Sequence, residues 1–131
     1  MSENRKIILI VDDDADMLDQ MKLQVENFGF DVITATSGKE AEQMLDEKKP
    51  DLAIYDLMME TQDSGFILAY KTKKKYPDVP VIIATAVTAE TGMMFNLETK
   101  EDQNWIKADK YLEKGVRGDQ LHREINKLLK I

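Results

Sequence analysis

The apolar runs of this sequence are followed by side chains that can bind a metal ion or a phosphoryl group. Three aspartates, Asp12 to Asp14, come after the first run, and Asp56 comes after the third. Thr85 follows the fourth run, and Lys114 stands close behind the fifth. Acid groups, a hydroxyl and an amine are thus delivered from the ends of different segments.

Carboxylates that are brought together need compensation, because they repel by roughly 1 to 4 kcal/mol per pair at ~4 Å, depending on the effective dielectric constant. Mg²⁺ suits such a site, since it accepts one or two carboxylates and keeps waters and phosphate oxygens in its other positions. An aspartate can also form an acyl phosphate. We therefore expect a Mg²⁺ site in which one carboxylate can accept a phosphoryl group, Lys114 and the metal neutralise its charge, and Thr85 hydrogen-bonds one of its oxygens.

The apolar runs themselves predict buried parallel strands, since strands that are covered by helices on both faces are apolar throughout. Stretches with helical spacing separate them, so that strand and helix alternate five times. This pattern predicts one open, doubly wound α/β domain over residues 1–131, with ligands at the carboxyl ends of the strands. The predicted strands are Ile7–Val11, Val32–Ala35, Leu52–Tyr55, Val81–Ala84 and the shorter Tyr111–Leu112.

Local signals mark where the helices begin and end. Asp14 is the expected N-cap of the first helix, and Gly29 is its expected C-terminal stop. Ser37 and Glu40 have the spacing of a capping box that opens the second helix. The lysines of the third helix are expected to form a solvated helix end that complements the helix dipole; they are Lys71, Lys73, Lys74 and Lys75.

Composition restricts the partners and the compartment. The chain has 25 acidic and 18 basic residues and a net charge of -7, which disfavours binding to nucleic acid or to anionic lipid. It has no cysteine, which excludes disulfides and thiolate metal sites. The first apolar run is too short for a signal peptide or a membrane span. We expect a cytoplasmic protein without a nucleic-acid or membrane partner.

The segments around the polar side chains resemble, in order, the signature segments of the response-regulator receiver domains of two-component signalling. They are Ile8–Asp14, Asp51–Met59, Val81–Ala86 and Tyr111–Lys114, and the resemblance covers nearly the whole chain. It implies a flavodoxin-like five-stranded parallel sheet of order 2-1-3-4-5 with helices on both faces.

The same resemblance assigns roles to individual residues. Asp56 is the implied phosphoacceptor, and Thr85 and Lys114 are implied to contact the phosphoryl group. Tyr111 matches a switch aromatic residue that follows the movement of Thr85. The implied Mg²⁺ ligands are Asp12, Asp13, Asp56 and the backbone carbonyl of Met58.

These roles imply a two-state signalling switch that is driven by phosphorylation. Such a domain is not an enzyme, since it catalyses at most its own phosphorylation and dephosphorylation. The implied phosphoryl donor is a sensor histidine kinase or a histidine phosphotransfer protein. The target is a protein that the sequence does not identify. A homodimer through the face of the fourth and fifth helices is compatible with the resemblance.

Several positions depart from the family pattern. Glu60 stands where a proline is common, which predicts a rebuilt loop after the phosphoacceptor. Gly115 also replaces a proline, so we predict a trans peptide bond after Lys114. Several extra residues are expected between Thr88 and Asp109. Met58 and Val87 offer no polar group to orient an attacking water, which predicts slow self-dephosphorylation.

Three other functions are weighed against the switch. A phosphohydrolase with an aspartate nucleophile would need a second acid two residues later, where Met58 stands. A flavin-binding protein would need a glycine-rich phosphate cradle where the aspartates stand. A receiver-like interaction module that is never phosphorylated is the main alternative, although the acidic pair, Thr85 and Lys114 argue against it.

Overall fold

The computed structural model describes residues 5–56, 64–85, 109–113 and 117–131. The predicted insertion, and with it the predicted fourth helix, lies outside these residues apart from Asp109. No helix in the four described ranges is long and apolar enough to cross a membrane. The elements are β1 Ile7–Val11, α1 Ala15–Asn27, β2 Asp31–Ala35, α2 Gly38–Glu47, β3 Leu52–Asp56, α3 Ser64–Lys75, β4 Val81–Thr85, β5 Lys110–Glu113 and a C-terminal helix Gly118–Leu129.

The strands pair in parallel in the order β2-β1-β3-β4-β5. β3 therefore lies at the centre of the sheet, between β1 and β4. Val11 pairs with Tyr55 and Asp56 pairs with Ala84, so these strands end at the same edge of the sheet. The predicted α/β architecture with a parallel sheet is confirmed.

Each face of the sheet has its own hydrophobic core, because successive side chains of a strand point to opposite faces. Leu9, Ala53 and Ile83 pack on one face with α2 and α3. Ile10, Ile54 and Ile82 pack on the other face with α1 and the C-terminal helix. All six of these strand side chains are buried. Helices thus cover both faces of the sheet in the described residues.

The helix boundaries follow the predicted signals. The Asp14 carboxylate accepts hydrogen bonds from the backbone N–H groups of Asp16 (3.0 Å) and Met17 (3.3 Å), so it caps α1. Ser37 Oγ accepts the Glu40 N–H at 3.1 Å. The Glu40 carboxylate accepts the N–H of Thr36 at 2.7 Å, one residue before the cap. α1 stops before Gly29, whose φ of 103° suits a residue without a Cβ.

Two aspartates tie the sheet together at the amino ends of the strands. Asp51, just before β3, accepts the Ile7 N–H of β1 at 2.8 Å. Asp109, just before β5, accepts the Val81 N–H of β4 at 2.8 Å and pairs with Lys73 of α3 at 2.7 Å. The first residue of each neighbouring strand thereby gains a charged acceptor. These contacts lie at the edge of the sheet opposite the candidate site.

Candidate functional site

Three carboxylates meet at the carboxyl edge of the sheet. One oxygen from each of Asp12, Asp13 and Asp56 lies within 4.8 Å of the other two. Asp12 and Asp56 are 2% and 5% exposed, whereas Asp13 is exposed to solvent. The cluster therefore has two buried members and one that opens to solvent.

The register of β1 and β3 explains why Asp12 and Asp56 are neighbours. Val11 pairs with Tyr55, and each aspartate follows the paired residue of its own strand. The N–H of Asp12 donates to the Ala35 carbonyl at 3.2 Å, so the ladder continues one residue beyond β1. By strand alternation, Asp12 and Asp56 both leave the sheet on the face that α1 covers.

The crowding of these carboxylates is costly without a counter-charge. At 4.8 Å, two full negative charges repel by about 1 to 3.5 kcal/mol for effective dielectric constants between about 80 and about 20. Part of this is offset locally, because the Asp12 carboxylate accepts the Asp14 N–H at 2.9 Å. The positive end of the α1 dipole also lies here, since the helix begins at Ala15. A cation would relieve the rest.

The other predicted site residues are described only in part or not at all. Thr85 ends β4, one residue after Ala84, the partner of Asp56, so its backbone lies at the same edge. The backbone of Tyr111 pairs with Ile83 of β4. The side chains of Thr85 and Tyr111 lie outside the described part of the structure. So do Met58, Lys114 and the predicted trans peptide, together with Glu60 and Val87.

A buried hydrogen-bond chain next to Asp56 was not predicted from the sequence. The hydroxyl groups of Tyr55 and Thr72 lie 2.7 Å apart, and Thr72 Oγ1 donates to the Leu68 carbonyl at 2.7 Å. Because threonine has one hydroxyl proton, Tyr55 is the donor to Thr72. Burial raises the pKa of the Tyr55 phenol well above its ordinary value. The sequence did offer one signal for this hydrogen bond: Tyr55 stands within an otherwise aliphatic run, and a buried phenol needs a hydrogen-bond partner.

Comparison of the sequence with known families gives a match over most of the chain. A family model for the response regulator receiver domain matches residues 8–126. The transcriptional regulatory protein GlrR of Escherichia coli K12 is 41% identical over 86 residues, which are 66% of this chain and 19% of that protein. Response regulator SaeR of Staphylococcus aureus USA300 is 34% identical over 122 residues, which are 93% of this chain and 50% of that protein. The chain spans half or less of the length of these relatives.

Solved structures with the same fold are also similar in sequence. A CheY-like receiver domain from Methanospirillum hungatei JF-1 has a TM-score of 0.81 and 28% identity, covering 97% of this chain and 95% of that one. The response regulator TrrA from Thermotoga maritima, in complex with Mg²⁺ and BeF, has a TM-score of 0.76 and 28% identity. That match covers 94% of this chain and 98% of TrrA. The flavodoxin-like, CheY-like fold is thereby confirmed.

Proposed function

Since the chain belongs to the response regulator receiver domain family, we propose that Asp56 accepts a phosphoryl group in a Mg²⁺-dependent reaction. The family makes the chain a signalling domain of two-component systems, as opposed to a classical enzyme. The observation that carries the assignment to Asp56 is the meeting of its buried carboxylate with Asp12 and Asp13 within 4.8 Å.

The acidic cluster fits Mg²⁺ by its donor chemistry. All three groups offer the hard oxygen ligands that this ion prefers, and they carry negative charge that a divalent cation would balance. Asp12, Asp13 and Asp56 would hold the ion, and the backbone carbonyl of Met58 would complete the protein ligands. When bound, Mg²⁺ supplies positive charge that stabilises the transferring phosphoryl oxygens. The TrrA complex with Mg²⁺ and BeF supports the choice of metal.

The transfer is a displacement at phosphorus. A carboxylate oxygen of Asp56 forms a bond to phosphorus while the bond from phosphorus to the donor nitrogen of a phosphohistidine breaks, and the imidazole leaves with that electron pair. Lys114 neutralises charge on the transferred group, and Thr85 donates a hydrogen bond to one of its oxygens. Burial of Asp56 favours the reaction, because a carboxylate nucleophile with few bound waters does not have to lose a hydration shell before it attacks.

The output of the switch follows from the movement of Thr85 and Tyr111. The phosphoryl group would draw Thr85 toward Asp56, and the rotamer of Tyr111 would follow the movement of Thr85. The proposed donor is a sensor histidine kinase or a histidine phosphotransfer protein, and the target is another protein in the cytoplasm. We assign the switch to one domain over residues 1–131, in which the face of the predicted fourth helix and the C-terminal helix would serve for a homodimer.

Acetyl phosphate with Mg²⁺ tests the proposal without a kinase. Intact mass should show one added phosphoryl group on the wild-type protein and none on Asp56→Asn. Chelation of Mg²⁺ with EDTA should abolish the addition to the wild type. Absence of any addition in the presence of Mg²⁺ would instead support an interaction module that is not phosphorylated.

A further inference from the structure

The hydrogen bond between Tyr55 and Thr72 joins the strand that carries Asp56 to the helix that follows it. Tyr55 immediately precedes Asp56 on β3, and Thr72 lies on α3. Both side chains are fully buried, at 0% exposure. We propose that Tyr55 is a positioning residue for phosphoryl transfer, because its hydrogen bond fixes α3 against β3 and thereby holds the Asp56 carboxylate in place. This inference rests on the proposed function of Asp56.

Tyr55 does not act by touching the reacting groups. It packs in the core between the sheet and the helices α2 and α3. Asp56 leaves the strand on the opposite face, where α1 and the C-terminal helix lie. The hydroxyl of Tyr55 therefore acts on the carboxylate through the backbone of β3 and through α3.

Directionality distinguishes this contact from the apolar packing of α3. Phe66, Leu68 and Ala69 hold the helix to the sheet by apolar contacts, which are non-directional and so tolerate small shifts along the surface. A hydrogen bond of 2.7 Å between two buried hydroxyl groups has a narrow range of distance and angle. Thr72 donates in turn to the Leu68 carbonyl, so its own hydroxyl is held by the backbone of α3. These two hydrogen bonds thus fix the position of α3 along its axis.

Tyr55 transmits that position to Asp56, because the two residues are consecutive on β3. The hydrogen bond ties the Tyr55 side chain to Thr72 of α3, so a shift of the helix would pull on the backbone of β3 next to the Asp56 carboxylate. Phosphoryl transfer is sensitive to such displacements, because it depends on alignment of the attacking oxygen.

Four variants separate positioning from stability. Tyr55→Phe and Thr72→Val each remove the hydrogen bond, whereas Thr72→Ser keeps the hydroxyl. Tyr76→Phe is the matched control. Tyr76 follows the last residue of α3, and its hydroxyl donates a hydrogen bond of 2.7 Å to the Leu45 carbonyl. The rate of phosphorylation by acetyl phosphate is measured by intact mass at saturating Mg²⁺, at a temperature where thermal melting shows every variant to be folded.

Tyr55→Phe and Thr72→Val should each slow phosphorylation about fivefold, and the double variant should be no slower than either one. Thr72→Ser and Tyr76→Phe should stay within about twofold of the wild type, although Tyr76→Phe also lowers the melting temperature.

An unchanged rate in folded Tyr55→Phe, or equal slowing in Tyr76→Phe, would overturn the positioning role. If Tyr55→Phe does not fold, equal rates for Thr72→Val and Thr72→Ser would overturn it. A wild type that takes up no phosphoryl group would refute the proposed function itself.

Discussion

The carboxylates of Asp12 and Asp56 lie side by side at the ends of adjacent parallel strands, with oxygens within 4.8 Å of each other. Both are nearly buried, so solvent screens their repulsion less than it would at an exposed site. The repulsion by itself opposes folding. It would also favour the binding of a cation beside Asp56, the proposed phosphoacceptor.

Removal of one charge from the cluster should stabilise the metal-free protein. We expect Asp13→Asn to raise the melting temperature in EDTA by about 3 to 5 °C, because repulsion falls by about 1 kcal/mol. The same variant should bind Mg²⁺ about tenfold more weakly. Thermal unfolding in EDTA and in Mg²⁺ measures both effects. Asp46→Asn, which changes an acid on α2 that pairs with Lys75, is the control and should leave the Mg²⁺-dependent shift unchanged.

The cap of α1 should affect stability without affecting the metal. Asp14→Ala removes the acceptor for two backbone N–H groups and should cost about 0.5 to 2 kcal/mol in urea unfolding. Asp14→Ser should retain most of that stability, since serine is also a good N-cap. Both variants should bind Mg²⁺ as the wild type does. Loss of Mg²⁺ binding in the stable serine variant would show that Asp14 belongs to the metal site.

The contact of Asp109 at the far edge of the sheet should matter for folding. Asp109→Ala leaves the Val81 N–H and Lys73 without this acceptor, and we expect a loss of about 1 to 3 kcal/mol. Asp109→Asn should lose less, because its amide oxygen can still accept the Val81 N–H. Asp78→Asn, at an exposed ion pair with Lys49, should not change the free energy of unfolding measurably. Equal losses in the two Asp109 variants would contradict the role of the backbone acceptor.

The buried phenol of Tyr55 should make the protein sensitive to alkali. Burial raises its pKa in the folded state, whereas the unfolded chain titrates near the ordinary value of about 10. Above that pH the unfolded state releases a proton that the folded state retains. Stability from this group is therefore full below about pH 10 and declines as the pH rises beyond it.

Urea unfolding of the wild type and Tyr55→Phe over a series of pH values measures this effect. Phenylalanine cannot ionise, so the stability advantage of the wild type should shrink above about pH 10. The remaining tyrosines and the lysines are shared by both proteins and cancel in the difference. A difference that stays constant up to about pH 11 would show that Tyr55 ionises equally well in the folded protein.

Much of the sheet and of the acidic cluster could be predicted from the sequence, because both depend on local patterns. Apolar runs mark the strands, and parallel strands share one carboxyl edge, which brings Asp12 and Asp56 together. β2 begins one residue before its predicted start, at Asp31. Asp31 was left out of the predicted strand because its side chain is polar. Its backbone N–H nevertheless donates to the Lys6 carbonyl at 2.9 Å.

Contacts between distant polar residues could not be predicted, since no local periodicity announces them. Tyr55 and Thr72 find each other only when α3 packs on the sheet. The lysines of α3 were expected to form a solvated helix end. In the structure three of them form ion pairs, with Lys71 contacting Glu42, Lys73 contacting Asp109 and Lys75 contacting Asp46. Their partners come from elements whose placement only the tertiary fold determines.

The most direct test of the central claim is to map the phosphorylated residue. After reaction with acetyl phosphate and Mg²⁺, borohydride reduces an acyl phosphate to an alcohol, so a modified aspartate becomes homoserine. Peptide mass spectrometry should find homoserine at position 56, with Asp12 and Asp13 unchanged. Homoserine at another aspartate, or none in protein whose intact mass shows the added phosphoryl group, would contradict the assignment of Asp56 as the phosphoacceptor.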